Sequence, residues 1–266
     1  MVFIMVFVLI CIRSRSALKI DGEILLYIES NGERPICIYD CSKAEFHEIS
    51  SGGSQAKFSG DNAIFIDRYD KISEYNLITQ EENVVYEGET FDFFDICNEQ
   101  HLSLSKDNYI FLYNIETQEK KILVQDNGSN IHSWSDDGTT LYYSDINNKI
   151  NSVEILTNEV QEVGEGRDPV VCGLNIAYKH KGKLIVKNMK NNDEYTYNSN
   201  VYSYCFSPTG KELLIEDEMS FWTVIKNFFK NDIIFGHRII AWQYESNKKT
   251  TIIDACLSNV LISDWK

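Results

Sequence analysis

The sequence predicts an all-β fold, a six-bladed β-propeller of four-stranded blades with one helical insertion in the last blade. Three observations carry that expectation. A turn recurs at Gly22, Asn62, Gln100, Gly138, Asn175 and Gly210, in steps of about 40, 38, 38, 37 and 35 residues, a spacing suited to propeller blades. A second, polar turn keeps the same phase, at 41–43 (CSK), 79–81 (TQE), 117–119 (TQE), 157–159 (TNE), 191–193 (NND) and 246–248 (SNK). Its steps stay near ~38 residues until the last, of about 55, which locates an insertion. Finally, each period holds three short β-rich runs after the first turn and one leading run before it, which makes four strands. Such a unit has two faces and cannot bury both alone, so the units pack round a ring.

The leading runs share a pattern. Four positions before most first turns stands a large apolar residue (Phe58, Ile96, Trp134, Val171, Phe206), and a small one follows it (Ser59, Cys97, Ser135, Cys172, Ser207). Large beside small suits strands crowded toward the centre of a ring. The repeat is clearest in SWSDDGTTLYYSD (Ser133–Asp145) and CFSPTGKELLIED (Cys205–Asp217), each a strand, a tight turn and a second strand; unit five (NIAYKH, KLIVKNM, EYTYN) is the most degenerate. The last segment, 259–266 (NVLISDWK), resembles a leading run, with Trp265 matching Trp134, and the chain ends where a second strand should begin. It is expected to pair with 21–28 and complete the first blade, with Leu18–Asp21 as the rival for that place.

Length and charge bound the rest. The chain has 266 residues, three prolines and no Ser/Gly-rich tract that would serve as a linker, which indicates one propeller domain over 18–266. A net charge of −15 argues against nucleic acid, whose phosphates would be repelled. Residues 1–17 open with MVFIMVFVLICI followed by Arg13 and Arg15. This apolar run falls short of the roughly 20 residues a spanning helix needs. It reads as a leader or membrane anchor, with a buried strand as the alternative, so a membrane-associated or exported location is expected; the arginines that follow the run leave a cytoplasmic propeller as the alternative, by the positive-inside rule. Cys97 and Cys172 occupy the small-residue slot, and Cys37 and Cys41 lack a second pair at zinc spacing. No metal or cofactor is expected.

The two clear units resemble the repeat of TolB-like β-propellers, whose pattern is close to W/F-S-P-D-G-K-x-L-x-F. Unit six keeps Pro208 and Gly210, and unit four lacks the proline. The resemblance implies the fold and a tendency toward protein binding in the cell envelope; it carries no catalytic residue. Enzymatic signals are sparse in the residues themselves. The chain has no GxSxG elbow. Its five histidines fall at non-equivalent positions, with only His132 on a leading run. Asp136 and Asp137 read as turn formers whose side chains bond backbone amides.

The insertion, 219–237, is the most informative functional feature. Phe221, Trp222, Ile225, Phe228, Phe229 and Ile233 recur at helical spacing, with Lys226, Asn227, Lys230 and Asn231 on the other side. An amphipathic, locally basic helix has three uses here: sealing the propeller rim or channel mouth, docking a protein partner, or lying on an anionic membrane surface. Phe221, Trp222, Ile225, Lys226, Phe228, Phe229 and Lys230 are therefore the candidate partner or membrane contacts. The function expected is a non-enzymatic interaction module, with an enzyme or carbohydrate-binding propeller using the central channel as the alternative.

Overall fold

The computed structural model describes residues 22–29, 35–68, 70–98, 100–199, 201–218, 237–254 and 259–266. The first blade takes its second to fourth strands from β1 (Glu23–Glu29), β2 (Ile36–Asp40) and β3 (Glu45–Ser50). Blade two is β4 (Ala56–Ser59), β5 (Ala63–Asp67), β6 (Lys71–Asn76) and β7 (Glu82–Glu87). Blade three is β8 (Phe93–Asn98), β9 (His101–Lys106), β10 (Tyr109–Asn114) and β11 (Lys120–Val124). Blade four is β12 (Ser133–Trp134), β13 (Thr140–Ser144), β14 (Lys149–Glu154) and β15 (Val160–Glu165). Blade five is β16 (Arg167–Cys172), β17 (Asn175–His180), β18 (Lys183–Asn188) and β19 (Glu194–Tyr197). Blade six is β20 (Val201–Phe206), β21 (Leu213–Glu218), β22 (His237–Gln243) and β23 (Lys248–Asp254). The last strand, β24 (Asn259–Trp265), returns to blade one, whose sheet order is β24-β1-β2-β3.

Closure therefore runs through the C-terminal strand. The pairing sets Ile24 opposite Trp265 and Glu29 opposite Asn259. At its end Glu23 N–H donates to the Lys266 carbonyl at 2.8 Å, and Lys266 N–H donates back to Glu23 at 3.0 Å. Gly22 is required there: its φ is +107°, and a Cβ would collide with the Lys266 carbonyl.

Both sequence markers have a physical basis. At the polar turn, Ala44, Gln80, Gln118, Asn158, Asn192 and Asn247 all take positive φ, between 53° and 63°. Side-chain carbonyl or carboxylate oxygens of Asp40, Asn76, Asn114 and Asn188 cap these turns by accepting backbone N–H groups. At the leading turn, the small residue of one blade seats the turn of the next. The Cys97 thiol meets the Gly138 carbonyl at 3.3 Å, and a Cβ on Gly138 would lie 2.7 Å from the Cys97 carbonyl. Burial raises the Cys97 and Cys172 thiols to about 11, so both stay neutral packing groups.

Six buried apolar clusters fill the seams between neighbouring blades. Trp134 packs with Ile110 and Val124 of blade three and with Leu141 and Val153 of its own. Phe206 packs between blades five and six, and Trp265 between blades six and one. The large residue of the leading run is thus the wedge of each seam.

The antiparallel order also defines two faces. An upper face carries the first-to-second and third-to-fourth strand turns; a lower face carries the second-to-third turns and the connections between blades. The insertion, 219–237, joins β21 to β22 on the lower face, where Glu218 pairs with His237. Its expected boundary moves by one residue, because His237 is already strand. The expected helix and the leader over residues 1–17 lie outside the described residues. Among the described residues no helix is long and apolar enough to cross a membrane.

Candidate functional site

The leading strands line a central channel. Lys57, Asp95, Ser133, Val170, Tyr204 and Ser263, one from each blade, border both of its mouths and form its waist. The lower mouth opens into a cavity of about 530 Å3, and the upper into one of about 350 Å3.

A charged group sits at the waist. Lys57 Nζ lies 3.4 Å from Asp95 Oδ1 and 5.7 Å from the centre of the Phe93 ring. Burial alone would pull the Lys57 pKa down, but Asp95 and Asp264 outweigh it and hold it above the ordinary value, so the ammonium persists. Burial likewise raises the Asp264 carboxyl, opposed by Lys57 and by the N–H groups of Phe58 and Trp265, each 2.9 Å from it.

His132 lies just before β12, buried at the lower mouth. Its Nδ1 stands 3.1 Å from the Asn130 carbonyl, which accepts only, so Nδ1 carries the proton. Nε2 then accepts from the Ser103 hydroxyl at 2.6 Å, and that hydroxyl in turn accepts from Trp134 Nε1 at 2.9 Å. Burial pushes the imidazole pKa down to about 4, partly opposed by Asp95. It is therefore neutral near pH 7, a link in a polar relay joining blade three to blade four.

The other polar groups of the lower mouth are also tied into the ring. Asp168 pairs with Lys179 at 3.0 Å and accepts from Ser129 at 2.5 Å. Tyr204 donates its hydroxyl to the Asp168 carbonyl, and Ser54 donates to Asp67. Gln55 exchanges two bonds with the Phe94 backbone of the next blade, at 2.8 and 3.3 Å. At the upper mouth, Asp137 accepts from Ser135 and Thr139, closing its own turn, and Asp136 accepts from Gly173 N–H of blade five.

The seven residues expected to contact a partner or membrane, Phe221, Trp222, Ile225, Lys226, Phe228, Phe229 and Lys230, all lie outside the described residues. The residues that sequence reading passed over are Lys57, Asp95, Asp168 and Asp264. A signal for three of them was present: Asp264, Lys57 and Asp95 each stand one position before the large residue of a leading run, and strand alternation turns that position away from the wedge side.

The chain matches no protein-family model and no curated protein sequence. Among solved structures it is similar to TolB from Acinetobacter baumannii, at a TM-score of 0.56 and 12% identity, over 85% of this chain and 67% of that one. At that identity the likeness is one of fold: the chain has the TolB-like β-propeller architecture.

Proposed function

We propose that this chain is a non-enzymatic interaction module, an envelope-associated or exported scaffold that binds a protein partner on its lower face. The carrying observation is the use of the polar groups around the lower mouth. His132, Asp95, Asp168 and Asp67 each spend their side chains on bonds inside the ring. What remains outward is a surface: Tyr202 is 41% exposed at the mouth, beside the half-buried Ile131 and Phe93. The insertion leaves from this same face. Gly22, through which any leader joins the propeller, lies beside Lys266 on the upper face.

A second reading, an enzyme or carbohydrate-binding propeller working through the channel, draws on the roughly 530 Å3 cavity and its Asp92, Phe93 and Tyr202 lining. A photo-crosslinking residue at Tyr202, with a control at the exposed Leu156 of the upper face, separates the two. A discrete protein adduct from position 202 alone is the expected result. Equal labelling from both positions, or none from 202 while a small saccharide protects it, would sink the scaffold reading.

A further inference from the structure

Beside the channel mouth, blades four and five leave a second cavity of about 530 Å3 on the lower face. Three separate segments wall it: the β13–β14 turn, the connection entering β16, and the β17–β18 turn. Its charge opposes that of the molecule. The chain has 25 Lys and Arg against 40 Asp and Glu, yet this lining holds Lys149, Arg167, Lys179, Lys181 and Lys183 against the one carboxylate of Glu165. His180 adds a further nitrogen base.

The arrangement carries local costs that the fold does not explain. The β16–β17 register sets Arg167 directly opposite Lys179, and like charges so placed destabilise a sheet. Lys181 and Gly182 turn the β17–β18 hairpin with φ of 49° and 74°, and the first of those positions favours Asn, Asp or Gly over Lys. Two of the cations are neutralised within the ring: Lys149 by Glu162 at 2.5 Å, and Lys179 by Asp168 at 3.0 Å. Arg167, Lys181 and Lys183 are exposed, and none makes an ion pair among the described residues.

We infer that this cleft binds an acidic segment of the protein partner, with Arg167, Lys181 and Lys183 pairing its carboxylates. The inference rests on the scaffold reading above and names the chemistry of the partner. The cations come from separate loops, which suits a run of carboxylates along an extended chain better than one compact phosphate. The neighbouring channel mouth, with Asp67, Asp92 and Asp95, repels such a segment and confines it to the cleft. Guanidinium and ammonium groups at the surface of an acidic molecule also steer an acidic partner to this one place.

The test uses the full chain and a fluorescent oligoglutamate peptide, read by anisotropy. Saturable binding is expected, weakening by roughly tenfold or more from low to high salt as screening grows. Arg167→Glu with Lys183→Glu should abolish it while the melting temperature holds. If that variant misfolds, Arg167→Gln with Lys183→Gln should still weaken binding by roughly tenfold, since two of the three free cations are gone. No binding of the peptide, or binding unmoved by both variants, overturns the inference. So does full competition by inorganic phosphate, which marks a phosphate site, or charge-dependent binding to phosphatidylglycerol vesicles without binding to the peptide. A crosslink at position 202 that survives while peptide binding fails would remove this inference alone and leave the scaffold reading in place.

Discussion

Two neighbouring seams of this ring differ in how many apolar side chains they bury. Among the described residues the largest apolar cluster lies between blades five and six, with eleven buried residues including Phe206, Trp242 and Tyr197. Between blades four and five, among the described residues, Ile150, Val171, Ile176 and Tyr178 form the buried cluster. Both seams also carry polar bridges: at the thin one Ser133 accepts from Val171 N–H and Ser144 from Asp168 N–H, each at 3.1 Å, and at the thick one Tyr197 donates to Asp217 at 2.9 Å and Tyr204 to the Asp168 carbonyl. At the thick seam Val170 stands at the position of Ser133, and that bridge has no donor or acceptor to make it. Polar bonds thus cross both seams, and the difference between them lies in the apolar side chains they bury; acidic and hydroxyl groups around the channel supply bonds to each. Channel polarity in this molecule is therefore first a matter of assembly.

The largest expected effect tests whether any seam survives without closure. Deleting 259–266 removes Ile262 and Trp265 from the blade six–one seam, a loss of about 5 kcal/mol or more, and bares the edge of β1. Calorimetry should show melting lowered by about 10 °C or more, with aggregation. Unchanged melting would mean the ring does not depend on β24.

Next comes the direct contrast between the seams. Phe206→Ala should cost about 3–5 kcal/mol, whereas Val171→Ala, with less to lose, should cost about 1–2. Denaturant midpoints measure both, and equal losses would break the comparison.

The seam between blades three and four combines both kinds of support, through Trp134 and His132. Burial holds the native His132 pKa at about 4, below the ordinary value of 6.5, while Asp95 raises it and Lys57 lowers it. The unfolded chain therefore binds the proton first. Stability is full above about pH 6.5, falls as pH drops toward about 4, and then levels off, for a total of roughly 3 kcal/mol. Chemical denaturation of wild type and His132→Asn across that window should show this part of the slope only in the wild type.

The smallest effect sharpens the thin seam. Ser133→Ala leaves the buried Val171 N–H without its acceptor and should cost about 1–2 kcal/mol. A double-mutant cycle with Val171→Ala should show little coupling, since alanine keeps the backbone N–H that Ser133 accepts and loses only side-chain packing.

The blades were legible because each rests on local chemistry. Turn residues at a fixed interval, a large residue before a small one, and period-two alternation are properties of a few adjacent side chains. They led to six units of four strands and to the closing role of 259–266. The channel was far less legible. Lys57, Asp95 and Asp264 come from three blades; their shared place one residue before each wedge sets them on equivalent strands, but the 3.4 Å approach of Lys57 to Asp95 depends on how the blades pack. The basic cleft was hidden likewise, because Lys149, Arg167 and Lys183 read singly as ordinary surface cations.

By itself the sequence determined the repeat, the strand count and the wedge residues Trp134 and Phe206, since hydrophobic periodicity and turn preference act over neighbouring residues; it left two candidates for the closing strand, and the pairing of β24 with β1 decided between them. Only the tertiary structure decided which charges meet at the waist, that His132 is neutral and bound to Ser103, and that five basic residues share one cleft between blades four and five. Those facts depend on the angle and spacing at which blades pack, a long-range outcome of burying six apolar seams at once, and no local pattern along the chain encodes it.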